Sequence, residues 1–71
     1  MSGQADRIRP DMTLLDILAK HRETEAVFRA RDDQAGECIL CNALFETVAE
    51  AAARYGLDLD ELLRDLRRAT E

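Results

Sequence analysis

The sequence predicts an all-α domain. Three segments begin with a Thr or Asp residue whose side chain can cap a helix, and apolar residues then follow at helical spacing. No segment alternates apolar and polar residues as a half-buried strand does. Residues 1–7 are mainly polar and are expected to form a flexible lead-in, so residues 8–71 are predicted to make a single helical domain.

The first two helices are predicted in residues 13–31. Thr13 can cap a helix whose apolar side chains recur three and four residues apart up to about His21. A shorter helix follows from about residue 24. It is expected to stop before Asp32 and Asp33, because negatively charged side chains are unfavourable at the C-terminal end of a helix, where the dipole is negative. Residues 32–37, which include Gly36, are predicted to be a polar loop.

The second half of the chain is predicted to hold three helical segments. Residues 38–45 are expected to make one or two turns. Thr47 and Glu50 have the spacing of a capping box, and the helix that they begin should end at Gly56. Asp58 starts the last helix, in which acids come first and arginines follow, as the helix dipole favours.

The charge and hydropathy of the chain exclude some classes of function. The formal net charge is −5 and no basic patch is interleaved with aromatic residues, so nucleic-acid binding is not expected. No apolar run approaches the roughly 20 residues that span a membrane. The N-terminus lacks the apolar stretch of a signal peptide. The sequence therefore predicts a cytoplasmic protein that does not contact membranes.

The distinctive chemical feature is one Cys-x-x-Cys pair, Cys38 and Cys41. Residues three apart on a helix share a face at a separation that a disulfide can join. A position at the start of a helix favours a thiolate, so Cys38 is expected to be the exposed attacking thiol and Cys41 the resolving thiol. Nearby Glu37, Asp32 and Asp33 oppose a thiolate, which favours a mildly reducing or sensing dithiol.

Three functions remain open on these residues. Cys38 and Cys41 are the candidate catalytic pair of a redox-active or redox-sensing dithiol. The alternative is a non-enzymatic protein-interaction module in which the cysteines are secondary. In a third interpretation a homodimer pools four cysteines to bind zinc or an iron–sulfur cluster, since one pair supplies only two of about four ligands. No metal site or cofactor is predicted for the single chain, and the pair alone does not establish an enzyme.

Two other residues have candidate roles. His21 is the sole histidine and falls on the apolar stripe of the first helix, where a partly buried, helix-terminal histidine suits the dipole. It could act as a general base for Cys38 only if the fold brings the two together. Tyr55 is expected to be a core residue with its hydroxyl at the rim.

Six short motifs follow one another along the chain: DMTLLDIL at 11–18, AVF at 26–28, CILC at 38–41, ETVAEAA at 46–52, YGLD at 55–58 and ELL at 61–63. In this order they resemble the hybrid-cluster-protein-associated redox disulfide domain, and the resemblance covers about residues 8–69. A more distant resemblance is to the N-terminal domain of iron–sulfur cluster repair proteins.

This resemblance implies a compact orthogonal array of about five short helices and a bacterial or archaeal cytosolic protein. By position, Cys38 and Cys41 are the family's functional pair. The family's function is not established, and its redox label depends on that pair and on genomic company. The resemblance implies a protein partner, namely a metalloprotein or another redox protein.

Overall fold

The computed structural model describes residues 7–71, and these residues form an all-α fold. The fold class predicted from the sequence is therefore confirmed. Thr13 and Thr47 form an isolated antiparallel bridge, and residues 7–71 contain no longer strand. Most of the predicted lead-in, residues 1–6, lies outside the described residues. The elements in chain order are α1 (Leu14–Lys20), a 3-10 turn (Arg22–Thr24), α2 (Glu25–Arg29), α3 (Asp32–Ala35), α4 (Ile39–Ala43), α5 (Val48–Tyr55) and α6 (Leu59–Ala69).

The three predicted caps are confirmed. The side chains of Thr13 and Asp58 each accept a hydrogen bond from the backbone N–H three residues on, at 3.1 and 3.0 Å. Thr47 and Glu50 form a full capping box, in which each side chain accepts from the other residue's N–H. Gly56 ends α5 with a φ of +66°, a left-handed conformation that glycine adopts at little cost.

The predicted polar loop at residues 32–37 is wrong in part, because Asp32–Ala35 form the short helix α3. Asp32 and Asp33 lie in its first turn, where the positive end of the helix dipole stabilises acids. Helix α2 ends at Arg29, before the two acids, as predicted. The same two acids also begin the next helix, which the sequence did not predict. Gly36 ends α3 with a φ of +82°.

A single apolar core holds the helices together. Helix α2 contacts α4 and α6, and α5 packs against α6. Ile39, the residue after Cys38, is fully buried, as is Phe28 of α2. Burial of Ile39 fixes the start of α4 relative to the core and so fixes where the cysteines emerge. The largest fully buried side chains are Phe28, Ile8, Leu14, Ile17, Ile39, Leu62, Leu66, Val48 and Thr24.

The first described segment is tied to the last helix. The Arg67 guanidinium donates two hydrogen bonds to the backbone carbonyl of Ile8, at 3.0 and 2.8 Å. Ile8 is itself buried, so the segment before α1 is part of the folded domain. Within residues 7–71, no helix has both the length and the apolar character needed to cross a bilayer.

Candidate functional site: a surface disulfide beside a groove

Cys38 and Cys41 form a disulfide at the start of α4. Their Cα atoms are 5.2 Å apart, within the usual range of about 4.4–6.8 Å for a disulfide. The predicted presentation of two sulfurs from one end of a helical segment is therefore confirmed. The geometry arises because Cys38 is the N-cap of α4 and Cys41 follows within its first turn.

Cys38 caps α4 with its own sulfur. Its backbone is extended, and its Sγ accepts a hydrogen bond from the Cys41 N–H at 3.1 Å. The Cys38 carbonyl accepts a second hydrogen bond from the Asn42 side-chain amide at 2.9 Å. An N-cap atom lies close to the unpaired N–H groups of the first turn, so a thiolate formed there on reduction is stabilised by them.

A carboxylate shares this helix end with the sulfur. Asp32 accepts a hydrogen bond from the Ile39 N–H at 3.0 Å, so the first turn of α4 has two caps. The Asp32 charge is thereby fixed close to Cys38, where it opposes a second negative charge on the sulfur. The sequence indicated an acidic surrounding for Cys38, and the hydrogen bond from Ile39 identifies Asp32 as the acid held at the helix end.

The exposure of the two cysteines is the reverse of the expectation. Cys41 is exposed, whereas Cys38 is half-buried. The reason is local, because Cys38 precedes the buried Ile39 and lies between α3 and α4, while Cys41 lies on the outer side of the α4 turn. An incoming group therefore meets Cys41 first.

Glu37, which precedes Cys38, is engaged by α5. Its carboxylate accepts a hydrogen bond from the Tyr55 hydroxyl and lies 3.7 Å from the Arg54 guanidinium. The hydrogen bond to Glu37 raises the pKa of Tyr55. Arg54 also pairs with Glu46, and this contact raises the pKa of the guanidinium. The Glu37 charge near the disulfide is thus partly compensated by a cation that is distant in sequence.

The disulfide lies at an open groove of about 450 Å³. Three leucines form its apolar part: Leu18 from α1, Leu40 from α4 and Leu44 just after α4. All three are half-buried, so part of each side chain is in contact with solvent. The groove thus brings an apolar surface and the two cysteines together in one site.

The groove also carries charges that the linear sequence does not place near the cysteines. Arg22 and Arg29 line it together with Glu25 and Asp32. Arg29 pairs with Glu25 at 2.6 Å, whereas Arg22 forms no ion pair with any residue in 7–71. Sequence reasoning missed both arginines, because they reach the groove through the packing of α2 and the 3-10 turn beside α4. The spacing of apolar residues predicts which face of a helix is buried, but it does not predict which other helix packs against that face.

The structure places His21 and Tyr55 outside the groove. His21 is half-buried at the end of α1, and its Nε2 is buried without a hydrogen-bond partner among residues 7–71. It does not line the groove beside Cys38, so the geometry gives it no place as a base for that thiol. Tyr55 packs against the core with its hydroxyl at the surface, as expected.

Residues 7–71 contain no cluster of three or more His, Cys, Asp and Glu side chains arranged to hold a metal ion.

Comparison of the chain with family models, curated proteins and solved structures found no match. Membership of the family that the motifs resemble therefore stays a prediction.

Proposed function

We propose that this protein carries out reversible thiol–disulfide exchange through Cys38 and Cys41, as a redox-active or redox-sensing domain. The observation that carries the proposal is the disulfide at the N-terminus of α4. The Cys38 Sγ accepts a hydrogen bond from the Cys41 N–H, and Cys38 is half-buried whereas Cys41 is exposed. A disulfide that closes so small a loop adds little stability, so reactivity explains the pair better than a structural role does.

The exposures suggest a direction for the exchange. A thiolate of the partner attacks the exposed Cys41 Sγ and forms a mixed disulfide, while the bond to Cys38 breaks and its electron pair leaves as the Cys38 thiolate. The Cys41 N–H that already bonds the Cys38 Sγ stabilises this leaving group. A second partner thiolate attacks the partner's sulfur in the mixed disulfide and releases Cys41 as a thiolate. Two electrons pass to the domain, and the partner is left as a disulfide.

The reverse sequence oxidises the domain. Asp32, held at the same helix end, limits how far the Cys38 thiolate is stabilised. Because a strong oxidant owes its potential to a strongly stabilised thiolate, we expect a mildly reducing pair. We further propose membership of the hybrid-cluster-associated redox disulfide family, supported by the sequence motifs, with a cytoplasmic metalloprotein or redox protein as partner.

The test is a titration of the purified protein in glutathione buffers of graded potential, read by mass spectrometry after alkylation. Reversible conversion between a species with no alkyl groups and one with two supports the proposal. A pair that stays fully dithiol under strong oxidant, or fully disulfide under dithiothreitol, contradicts it.

Single variants test the direction of exchange. In Cys38→Ser the remaining Cys41 should react faster with oxidised glutathione than Cys38 does in Cys41→Ser, after correction for the thiolate fraction of each. The two variants serve as controls for each other, because each retains one sulfur on the same helix turn. A faster reaction at Cys38 would restore the order expected from the sequence.

A second candidate function is protein interaction without redox chemistry. It is favoured by Phe45, which is 78% exposed, and by Leu15, which is 42% exposed, since large apolar side chains at a surface often contact partners. The double variant Cys38→Ser with Cys41→Ser should then keep partner capture in a pull-down, and loss of capture would argue against this alternative.

A further inference from the structure

We infer that the groove beside the disulfide binds an extended segment of a partner protein in which a cysteine is accompanied by an apolar side chain and a carboxylate. This inference rests on the proposed thiol–disulfide exchange and adds its substrate class. It is carried by the juxtaposition, within one groove, of the two cysteines, three partly exposed leucines and Arg22, which makes no ion pair with residues 7–71.

The apolar part of the groove accounts for the apolar side chain. Leu18, Leu40 and Leu44 line the same groove as the two cysteines and remain partly exposed. Covering them removes apolar surface from water, which stabilises the complex in proportion to the area covered. A small polar thiol such as glutathione has no aliphatic side chain to cover leucines, whereas a peptide segment can carry one.

The charges account for the carboxylate. Among the groove's charged groups, Arg29 is paired with Glu25, and Asp32 is engaged by the Ile39 N–H. Of the two arginines that line the groove, Arg22 makes no ion pair with residues 7–71. The Arg22 guanidinium is thus the group of the groove that can pair with an acid beside the incoming cysteine, while Asp32 keeps its negative charge next to Cys38.

The size of the groove agrees with a short segment. Its volume of about 450 Å³ is within the range of roughly 300–1,000 Å³ typical of sites for small ligands, which suits a few residues and not a folded surface. Cys41 is exposed at this groove, so a segment held there presents its thiol to the sulfur that we propose is attacked first. Binding and exchange then use the same surface.

The experiment measures the rate at which synthetic peptides reduce the Cys38–Cys41 disulfide. The reference peptide has the order leucine, cysteine, glutamate at its centre. Two matched peptides replace the glutamate by lysine or the leucine by serine, and reduced glutathione is the small-thiol arm. Each rate is divided by the thiolate fraction of that peptide at the working pH.

The protein variants are Arg22→Glu and, as a matched control, Arg64→Glu. Both make the same change in net charge, and Arg64 is an exposed residue of α6 that does not line the groove. We expect Arg22→Glu to slow the reference peptide by about fivefold or more, without slowing the lysine peptide, because a charge at the rim of an interface acts mainly on association. Arg64→Glu should match the wild type with every peptide.

The outcomes separate the inference from the proposed function. If dithiothreitol reduces the disulfide but all peptides and glutathione react equally with wild type and Arg22→Glu, the groove inference is overturned and the exchange activity stands. A serine peptide as fast as the reference peptide would also overturn it. If dithiothreitol fails to reduce the disulfide in the wild type and in both variants, the proposed function itself fails. Circular dichroism of both variants verifies that they are folded.

Discussion

The hydroxyl of Tyr55 donates a hydrogen bond to the carboxylate of Glu37, the residue that precedes Cys38. This contact joins the end of α5 to the segment that leads into α4. Arg54 reinforces it, since its guanidinium lies 3.7 Å from the same carboxylate and 5.2 Å from the centre of the Tyr55 ring. The approach to the disulfide is thus held by a helix that contributes no side chain to the groove itself.

This contact predicts a raised ionisation point for Tyr55. The bond to Glu37 is the main cause that raises the pKa of the phenol above its ordinary value near 10. The chain has one tyrosine and no tryptophan, so absorbance of the phenolate reports on Tyr55 alone. Glu37→Gln should move the midpoint down towards the ordinary value.

Arg54→Gln serves as the opposing control in this titration. The nearby guanidinium lowers the pKa of Tyr55, so its removal should move the midpoint up and not down. Identical midpoints for wild type and Glu37→Gln would show that the contact is not formed in solution.

Reduction of the disulfide is predicted to leave the fold intact. A bridge between residues three apart closes a very short loop, and its stabilisation is expected to be about 2 kcal/mol or less. The burial of Ile39 and its hydrogen bond to Asp32 involve neither sulfur atom, so we expect both to persist after reduction. Urea denaturation with and without dithiothreitol should therefore give a modest shift, with unchanged helical circular dichroism in the folded baseline.

The variant Asp32→Asn tests how the carboxylate of Asp32 affects the redox potential of the cysteine pair. It weakens the second cap of α4 and removes the carboxylate beside Cys38, so the thiolate becomes easier to form. We expect a less reducing dithiol in the glutathione titration, with a small loss of stability. A more reducing pair would contradict the electrostatic role assigned to Asp32.

Asp65 is predicted to contribute to stability at neutral pH and not in acid. Its hydrogen bond from Arg31 is the main cause that lowers the pKa of the carboxyl. A lowered pKa in the folded state means that stability is present above the ordinary value of about 3.9 and is lost as the pH falls through the folded value. Asp65→Asn should cost about 1 kcal/mol at pH 7, allowing for solvent screening at this partly exposed pair.

In urea denaturation, the difference between wild type and Asp65→Asn should begin to shrink as the pH falls below about 4, where Asp65 of the unfolded chain takes up a proton. It should disappear as the pH passes through the lower pKa of folded Asp65. Glu23→Gln provides a matched loss of one charge at an exposed position and should show no such pH dependence. A constant difference across the pH range would mean that Asp65 acts by packing and not by charge.

The metal-binding alternative has its own measurement. A dimer that pools four cysteines predicts about one zinc or one iron–sulfur cluster per two chains by elemental analysis, and a loss of stability on chelation. The redox proposal predicts protein whose folding is unaffected by chelator. Metal at that stoichiometry, released only with unfolding, would favour the alternative over thiol exchange.

The helical caps could be predicted from the sequence because they depend on residues three apart. Thr13, Thr47 and Asp58 each bond to the N–H that the pattern indicates. The disulfide was predictable for the same reason, since the first turn of a helix fixes the distance between Cys38 and Cys41. Local geometry follows from local sequence in all four cases.

The remainder of the site depends on how helices pack, and the sequence does not state that. Arg22 lies sixteen residues before Cys38 in the chain but shares its groove, and Arg54 of α5 lies close to Glu37 although it is seventeen residues further along the chain. The sequence predicts that Cys38 is the more exposed cysteine, but the structure exposes Cys41. The burial of Ile39 in the core decides which cysteine is exposed, and that burial depends on tertiary packing. The short helix α3 was missed because one turn carries too few residues to show a period.

Every residue that lines the groove lies between positions 18 and 44, whereas α5 and α6 come later and supply much of the buried apolar packing. The groove is therefore formed by one continuous part of the chain, which also supplies core residues such as Phe28 and Ile39. Protein design can change an exposed groove residue such as Arg22 without altering α5 or α6, whereas a change at Tyr55 or Arg54 of α5 would also alter how Glu37 is held beside the disulfide.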